Sequence, residues 1–160
     1  MIQRKQSIYL LLIAVIVGLL YGLDPAYYTE TGKVQADDGP EKVSITVHFH
    51  TTHLSADVDA QNLGMKVIMF GLIGLSIFAI FLFKNRKVQR SLVTFNYLLI
   101  LILFANMYWY SLGMHYTEIE TLKEFLPAAF SPIPLLLLNF LAQRGIKQDD
   151  DLVRSLDRLR

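Results

Sequence analysis

Long apolar segments alternate with short charged segments along the chain. Four windows of 17, 21, 19 and 18 residues hold a single charged residue, Lys66; they are Ser7–Leu23, Leu63–Phe83, Leu92–Tyr110 and Phe125–Ala142. An α-helix rises about 1.5 Å per residue, so about 20 residues cross a hydrocarbon layer about 30 Å thick. A soluble helical bundle rarely needs four such runs in so short a chain. The pattern therefore predicts an all-α membrane protein with four transmembrane helices, at about residues 7–23, 63–83, 92–110 and 125–142 of a single domain, 1–160.

The basic residues are distributed unevenly between the segments that join these windows. Eleven of the 15 Lys and Arg residues lie before the first window, in the loop 84–91 or in the tail 143–160. Cytoplasmic loops of membrane proteins carry an excess of Lys and Arg. The sequence thus predicts a multi-pass membrane protein with both termini in the cytoplasm. Six of these residues are predicted to contact the membrane surface or a partner: Arg4, Arg86, Lys87, Arg154, Arg158 and Arg160.

The first extracytoplasmic loop, residues 24–62, is too long for a bare connector. Apolar and polar residues alternate over Lys42–Phe49, which is typical of a strand with one buried face. The preceding Asp37–Pro40 is typical of a turn, and Gly32–Ala36 has the length of a short pairing strand. We expect a small β-hairpin that rests its Val43–Phe49 apolar face on the ends of the helices.

The fourth window and the tail that follows it are irregular. Pro127, Pro132 and Pro134 fall in the outer half of this window, where each removes a backbone donor, so we expect a kinked or broken helix. After Asp149–Asp151, apolar and basic residues take opposite helical faces. This pattern predicts a short C-terminal amphipathic cytoplasmic helix, either lying on the inner leaflet or docking a partner.

All four histidines fall in the predicted extracytoplasmic loops: His48, His50, His53 and His115. His48 and His50 share one strand face, since side chains alternate along a strand. Imidazoles grouped in this way bind zinc, copper or nickel. The alternative is that they are solvated residues of a polar strand face, because HxHxxH has no accompanying Cys and no carboxylate at a fixed spacing.

Small and amide residues inside the windows indicate contacts between helices. Glycine lets a second helix approach closely, and a buried amide in lipid needs a hydrogen-bond partner. We expect packing inside one chain rather than dimer formation. The residues are Gly18, Gly22, Gly71, Gly74, Asn96 and Asn139.

Composition limits the possible functions. The chain is 53% apolar with a net charge of +1, so neither disorder nor binding to nucleic acid is expected. It has no cysteine, which excludes disulfides and thiol catalysis. No catalytic or phosphate-binding motif is present, so we expect no enzyme activity and no cofactor, and no small-molecule substrate is indicated.

The two ends of the chain resemble a known family. Met1–Leu12, Ala142–Ile146 and Asp149–Arg160 are similar to the ends of small inner-membrane proteins of Bacteroidetes-type bacteria, a domain of unknown function. The resemblance implies four spans over the full length and a location in the bacterial inner membrane, but no activity and no catalytic residues. It also implies that Gln3, Arg4 and Ser155–Arg160 matter more than the outer loop.

Two hypotheses follow from these observations. The first is a non-enzymatic accessory or assembly subunit of a larger membrane complex, with the lipid bilayer and other subunits as partners and its cytoplasmic ends as docking elements. The alternative is a small transporter or metal-handling protein that uses the four histidines and the proline-broken fourth helix.

Overall fold

The computed structural model of the chain describes residues 5–36, 39–54, 58–82, 85–113 and 122–157. These residues form four α-helices, one 3-10 helix and five β-strands. The helices are α1 (Lys5–Leu23), α2 (Leu63–Phe81), α3 (Arg86–Gly113) and α4 (Pro132–Asp157). The strands are β1 (Ala26–Ala36), β2 (Gly39–His48), β3 (Thr51–Leu54), β4 (Val58–Gln61) and β5 (Leu122–Phe125). The 3-10 helix, Pro127–Phe130, directly precedes α4.

The helices pack in a closed order, in which α1 and α3 each contact both α2 and α4. Three of them are long and apolar enough to cross a membrane, over Gln6–Leu23, Leu63–Phe81 and Arg86–Leu112. Helix α4 fails this criterion because charged residues begin at Arg144, so its apolar part is only about 12 residues long. Three candidate spans are therefore found among the described residues, where the sequence predicted four.

The outer surfaces of the helices are apolar. Among the most exposed side chains are Leu19, Val67, Phe81, Phe95, Leu101, Trp109 and Leu137, each at 53–75%. Asn96, Asn139 and Ser76, in contrast, are fully buried between the helices. Water-soluble helices show the reverse distribution, because they turn their apolar side chains toward the protein interior.

The fourth predicted span is divided among three elements. Phe125 ends β5, Pro127 begins the 3-10 helix, and Pro132 is the first residue of α4. The first turn of a helix tolerates proline because its N–H groups have no partner inside the helix. Pro132 and Pro134 therefore mark the start of α4 instead of bending a helix that begins at residue 125.

The predicted separate C-terminal helix is wrong. Helix α4 continues from its apolar half through Gly145 and Asp149–Asp151 to Asp157. Asp149–Asp151 lie inside this helix, which has already begun at Pro132, so no new helix starts after them. The small Gly145 is packed closely against α1, since a Cβ built there lies 3.3 Å from Gln6 Cβ. Such tertiary packing offsets the roughly 1 kcal/mol that glycine costs inside a helix.

The predicted hairpin is present as β1 and β2, and it belongs to a larger antiparallel sheet. The strand order is β4-β3-β2-β1-β5, so β5 from the second loop pairs with β1 from the first. Along the hairpin, Gly32 pairs with Val43 as expected, and the pairing extends to Ala26 and His48. Ile45, Val47 and Phe49 are buried, as the alternation in β2 predicted. Asp37 and Asp38 of the predicted turn, and the side chain of Val43, lie outside the described residues.

The described chain has two distinct ends. At one end, called the sheet end, β1–β5 cover the C-terminus of α1 and the N-termini of α2 and α4. At the other, called the basic end, the start of α1 and the start of α3 meet residues 144–157 of α4. Two contacts show this meeting: Gly145 lies against Gln6, and Arg86 Nη1 donates to the Asp149 carbonyl at 2.5 Å.

Candidate functional site

Asp24 joins α1 to the sheet. Its backbone has a φ of 40°, in the left-handed region, and its N–H donates to the Leu20 carbonyl at 3.1 Å. Its carboxylate accepts from the His50 backbone N–H at 2.9 Å and from Thr51 Oγ1 at 2.6 Å. Its own carbonyl lies 2.5 Å from His48 Nδ1. One acidic residue thus holds the end of α1 to the residues on both sides of the β2–β3 turn. We name Asp24, His48, His50 and Thr51 the Asp24 junction.

The two histidines of the Asp24 junction have different roles. His48 Nδ1 must carry a proton, because the backbone carbonyl that it contacts can only accept a hydrogen bond. His50 Nδ1 lies 2.8 Å from Asp24 Oδ2, but it is not aligned for a hydrogen bond. That contact is an ion pair only when the imidazole is protonated. The His50 ring also packs edge-on against Tyr21, with ring centroids 5.0 Å apart.

The structure does not gather the four predicted histidine ligands. His48 and His50 both turn toward Asp24, and the part of the chain that the structure describes contains no metal-binding group of three His, Cys, Asp or Glu. The side chain of His53 and the whole of His115 lie outside the described residues. A metal site that uses those two residues remains a prediction from the sequence.

Two buried tyrosines lie in β1 beside the Asp24 junction. Tyr27 is 1% exposed, and its hydroxyl has no hydrogen-bond partner among the described residues. Burial, and then the negative charges of ionised Tyr110 and Asp24, raise its pKa well above 10.0. Burial and the neighbouring Glu30 carboxylate raise the pKa of Tyr28 to about 12. Tyr28 donates to Glu30 Oε2 at 3.3 Å.

These raised pKa values predict that alkaline pH destabilises the sheet. In the unfolded chain both tyrosines ionise near pH 10.0, whereas in the fold they keep their protons to higher pH. The folded state then binds more protons, so stability should fall as the pH rises from 10 toward 12. Replacing Tyr28 with phenylalanine should make that fall shallower, as followed by thermal unfolding. The exposed Tyr108, replaced in the same way, serves as the control. Identical pH profiles for the Tyr28 variant and the parent would contradict the prediction.

An apolar cleft of about 210 Å³ opens between the sheet, α3 and the start of α4. Tyr27 and Phe125 line it from the sheet, Phe104 and Met107 from α3, and Ile133 from α4. Phe104, Phe125 and Ile133 are each more than half exposed, so the mouth of the cleft lies on the apolar outer surface of the helices.

Amide side chains join the helices near the basic end. Asn96 Nδ2 donates to Ser76 Oγ at 2.9 Å, which links α3 to α2. Asn139 Nδ2 donates to the Val93 carbonyl at 3.0 Å, which links α4 to α3. Gln89 Nε2 donates to the Ala79 carbonyl at 2.9 Å. The carbonyl oxygens of Asn96, Asn139 and Gln89 have no protein partner among the described residues. Each amide group therefore donates a hydrogen bond to another helix, while its carbonyl oxygen is buried without a protein partner among the described residues.

The glycines predicted to pack between helices behave differently from one another. A Cβ built on Gly71 lies 3.3 Å from Leu99 Cδ1, so α2 and α3 approach closely there. A Cβ built on Gly18, Gly22 or Gly74 meets nothing within 4 Å. No described segment approaches these three positions closely, so the close helix packing that was expected there is not seen at them.

The predicted basic contact residues are partly described. Arg86 is occupied by its hydrogen bond to Asp149, while Lys87 is exposed. Arg4, Arg158, Arg160 and the side chain of Arg154 lie outside the described residues.

Asp24 was not predicted as a site residue. An Asp followed by proline at the end of an apolar helix is nevertheless a recognisable stop signal.

The helices have apolar outer surfaces and buried amides between them, and three of them are long and apolar enough to cross a membrane. The protein is therefore mostly helical with candidate membrane spans. A family model, described as a domain of unknown function (DUF4293), matches residues 2–159. The chain therefore belongs to the DUF4293 family. No curated protein matches it. No solved structure matches it either.

Proposed function

We propose that this protein is a non-catalytic integral membrane protein that serves as an accessory or assembly subunit of a larger complex in the bacterial inner membrane. The observation that carries the proposal is the inverted surface: exposed Leu, Phe and Val side chains cover the helices, while Asn and Ser are buried between them. Such a surface is stable in lipid, and water would favour its burial against other copies or partners.

The proposed topology has four crossings. The 3-10 helix and the first half of α4 make the fourth, because together they join the sheet end to the basic end. An even number of crossings puts both termini on one side. The exposed Lys87, Arg90, Arg144 and Lys147 of the basic end favour the cytoplasm for that side.

The proposed docking element is the charged half of α4. Residues 144–157 continue the helix for about 20 Å beyond its apolar part, at about 1.5 Å per residue. The hydrogen bond from Arg86 to Asp149 fixes this segment to the start of α3. A helical segment that is charged and held in place supports a role in binding another subunit. The sheet, which the Asp24 junction holds to the end of α1, is a second folded surface.

A matched pair of single-cysteine variants tests both parts of the proposal, since the natural chain has no cysteine. Thr31→Cys places an exposed thiol on β1 and Arg144→Cys an exposed thiol on α4. In intact spheroplasts, an impermeant maleimide should label Thr31→Cys at once and Arg144→Cys only after permeabilisation. A photo-crosslinker on Arg144→Cys should capture one defined subunit, and the same reagent on Thr31→Cys should not. Equal labelling would refute the topology, and the absence of a defined adduct at Arg144→Cys would refute the docking role.

A further inference from the structure

The groove between α3 and α4 has a polar crossing point near the basic end. The two helices run antiparallel, because α3 begins at the basic end where α4 finishes. Gln143 Nε2 of α4 donates to Thr94 Oγ1 of α3 at 3.1 Å on the exposed side of this contact. Thr94 Oγ1 in turn donates to the Arg90 carbonyl at 3.0 Å. These bonds fix which residues of the two helices lie side by side.

Two basic side chains flank this groove one helical turn closer to the basic end. Residues four apart share one face of a helix, so Arg90 lies one turn below Thr94 and Lys147 one turn below Gln143. Both are exposed. Over the described ranges, neither Arg90 nor Lys147 forms an ion pair with a carboxylate. Arg90 and Lys147 therefore place two exposed cations along one groove, and two such cations can hold an anion with several oxygen atoms.

The groove becomes apolar in the opposite direction. Leu101, which is 53% exposed, lies on the same face of α3, about two turns from Thr94 and about three turns from Arg90. On α4, Phe140 lies one turn from Gln143 on the sheet side and is 52% exposed. The groove thus carries charge at the basic end, hydrogen-bonding groups at Thr94 and Gln143, and apolar surface beyond. This order matches a phospholipid, whose anionic head group continues into an acyl chain.

We propose that Arg90 and Lys147 bind the phosphate head group of an anionic phospholipid, with its acyl chain lying along Leu101 and Phe140. This site rests on the proposed membrane placement with the basic end at the cytoplasmic surface. Anionic lipids bind basic pockets between transmembrane helices on that side. Charge complementarity selects the head group, and the apolar groove selects a lipid over a soluble phosphate.

A specific head-group site at Arg90 and Lys147 must be distinguished from the general attraction of any basic surface to an anionic leaflet. Lys87 and Arg144 provide the matched control, because they are equally exposed and lie on the same two helices at the same end. Each is three residues from its counterpart, Arg90 or Lys147, and so lies about 60° further round its helix, away from the contacts with the partner helix. The double variants Arg90→Gln/Lys147→Gln and Lys87→Gln/Arg144→Gln therefore remove the same charge from different places.

The experiment is native mass spectrometry of the full chain released from vesicles of phosphatidylcholine with a minor fraction of phosphatidylglycerol. Retention of phosphatidylglycerol relative to phosphatidylcholine should fall about tenfold in Arg90→Gln/Lys147→Gln, because this variant loses both charge-assisted hydrogen bonds to the head group. It should change less than about twofold in the Lys87→Gln/Arg144→Gln control, because that variant keeps both of these hydrogen bonds. Equal losses in the two variants, or no loss in either, would overturn the site.

Two further readouts separate the possible failures. Inorganic phosphate at millimolar concentration should leave the bound phosphatidylglycerol in place. Displacement of phosphatidylglycerol by phosphate would show that the site binds soluble anions and would overturn the lipid site. Alkaline carbonate extraction of membranes reports insertion independently of lipid choice. If the parent protein is extracted, the proposed membrane function fails. If it stays in the pellet but shows no preference for phosphatidylglycerol, only the lipid site fails.

Discussion

Replacing Asp24 with alanine should destabilise the sheet by about 3 kcal/mol while leaving the helices folded. The substitution removes the acceptor of the His50 N–H and the Thr51 hydroxyl, which are partly buried at this position. It also places a Cβ-bearing residue without a local hydrogen bond at a φ of 40°. Hydrogen exchange followed by mass spectrometry should show faster exchange in β1, β2 and β3, with little change in α2 and α3.

Two variants at the same position separate the causes. Asp24→Gly tolerates the left-handed backbone but still loses the carboxylate, so it isolates the hydrogen bonds. Asp24→Asn keeps one acceptor oxygen and the left-handed preference, so it should cost the least of the three. If Asp24→Ala and Asp24→Asn exchanged at the same rate as the parent, the Asp24 junction would have no role in holding the sheet.

Replacing Gly145 with leucine should separate α4 from α1 and lower the free energy of unfolding by about 1–3 kcal/mol. A Cβ at this position lies 3.3 Å from Gln6 Cβ and 3.7 Å from the Gln6 backbone nitrogen. Backbone atoms cannot move aside as a flexible side chain can, so the whole of α4 must shift. The shift would also strain the Arg86–Asp149 hydrogen bond at the same end. Thermal unfolding in detergent, followed by circular dichroism, measures the loss.

Gly74→Leu is the matched control for this substitution. It makes the same change within a helix, at a position where a built Cβ meets nothing within 4 Å. It should leave stability unchanged or raise it slightly, because leucine favours a helix more than glycine does. A loss at Gly74 as large as that at Gly145 would attribute the effect to leucine itself, not to the α1–α4 contact.

Helices α1 and α2 were predictable because long segments without charged residues mark them directly in the sequence. The windows 7–23 and 63–83 match α1 and α2 within a few residues, and the hairpin followed from the alternation in Lys42–Phe49. Both signals are local, since a helix and a half-buried strand each impose a fixed period on apolar residues. Lys66 did not disturb the prediction of α2, as it sits in the first turn of that helix, where the chain leaves the sheet.

The misplaced elements depend on contacts between distant parts of the chain. Helix α4 continues through Gly145, where it packs against Gln6, more than 130 residues earlier in the chain. The five-stranded sheet requires Leu122–Phe125 to find β1, and a four-residue segment gives too weak a pattern to reveal that pairing. Likewise, nothing around Gly18 or Gly71 distinguishes the glycine that faces outward from the one that contacts Leu99. Local sequence gives the two the same preference, and only packing separates them.

The pairing of β5 with β1 constrains the order in which the sheet can fold during synthesis. Strand β1 is synthesised first, yet its partner strand emerges about 90 residues later, after α2 and α3. Until then β1 presents an unpaired edge to its surroundings, and such edges recruit other strands. Synthesis from the N-terminus therefore leaves a period in which the hairpin is open to a chaperone or to another copy. Arrival of Leu122–Phe125 closes that period, so packing of the last helix and completion of the sheet become a single event.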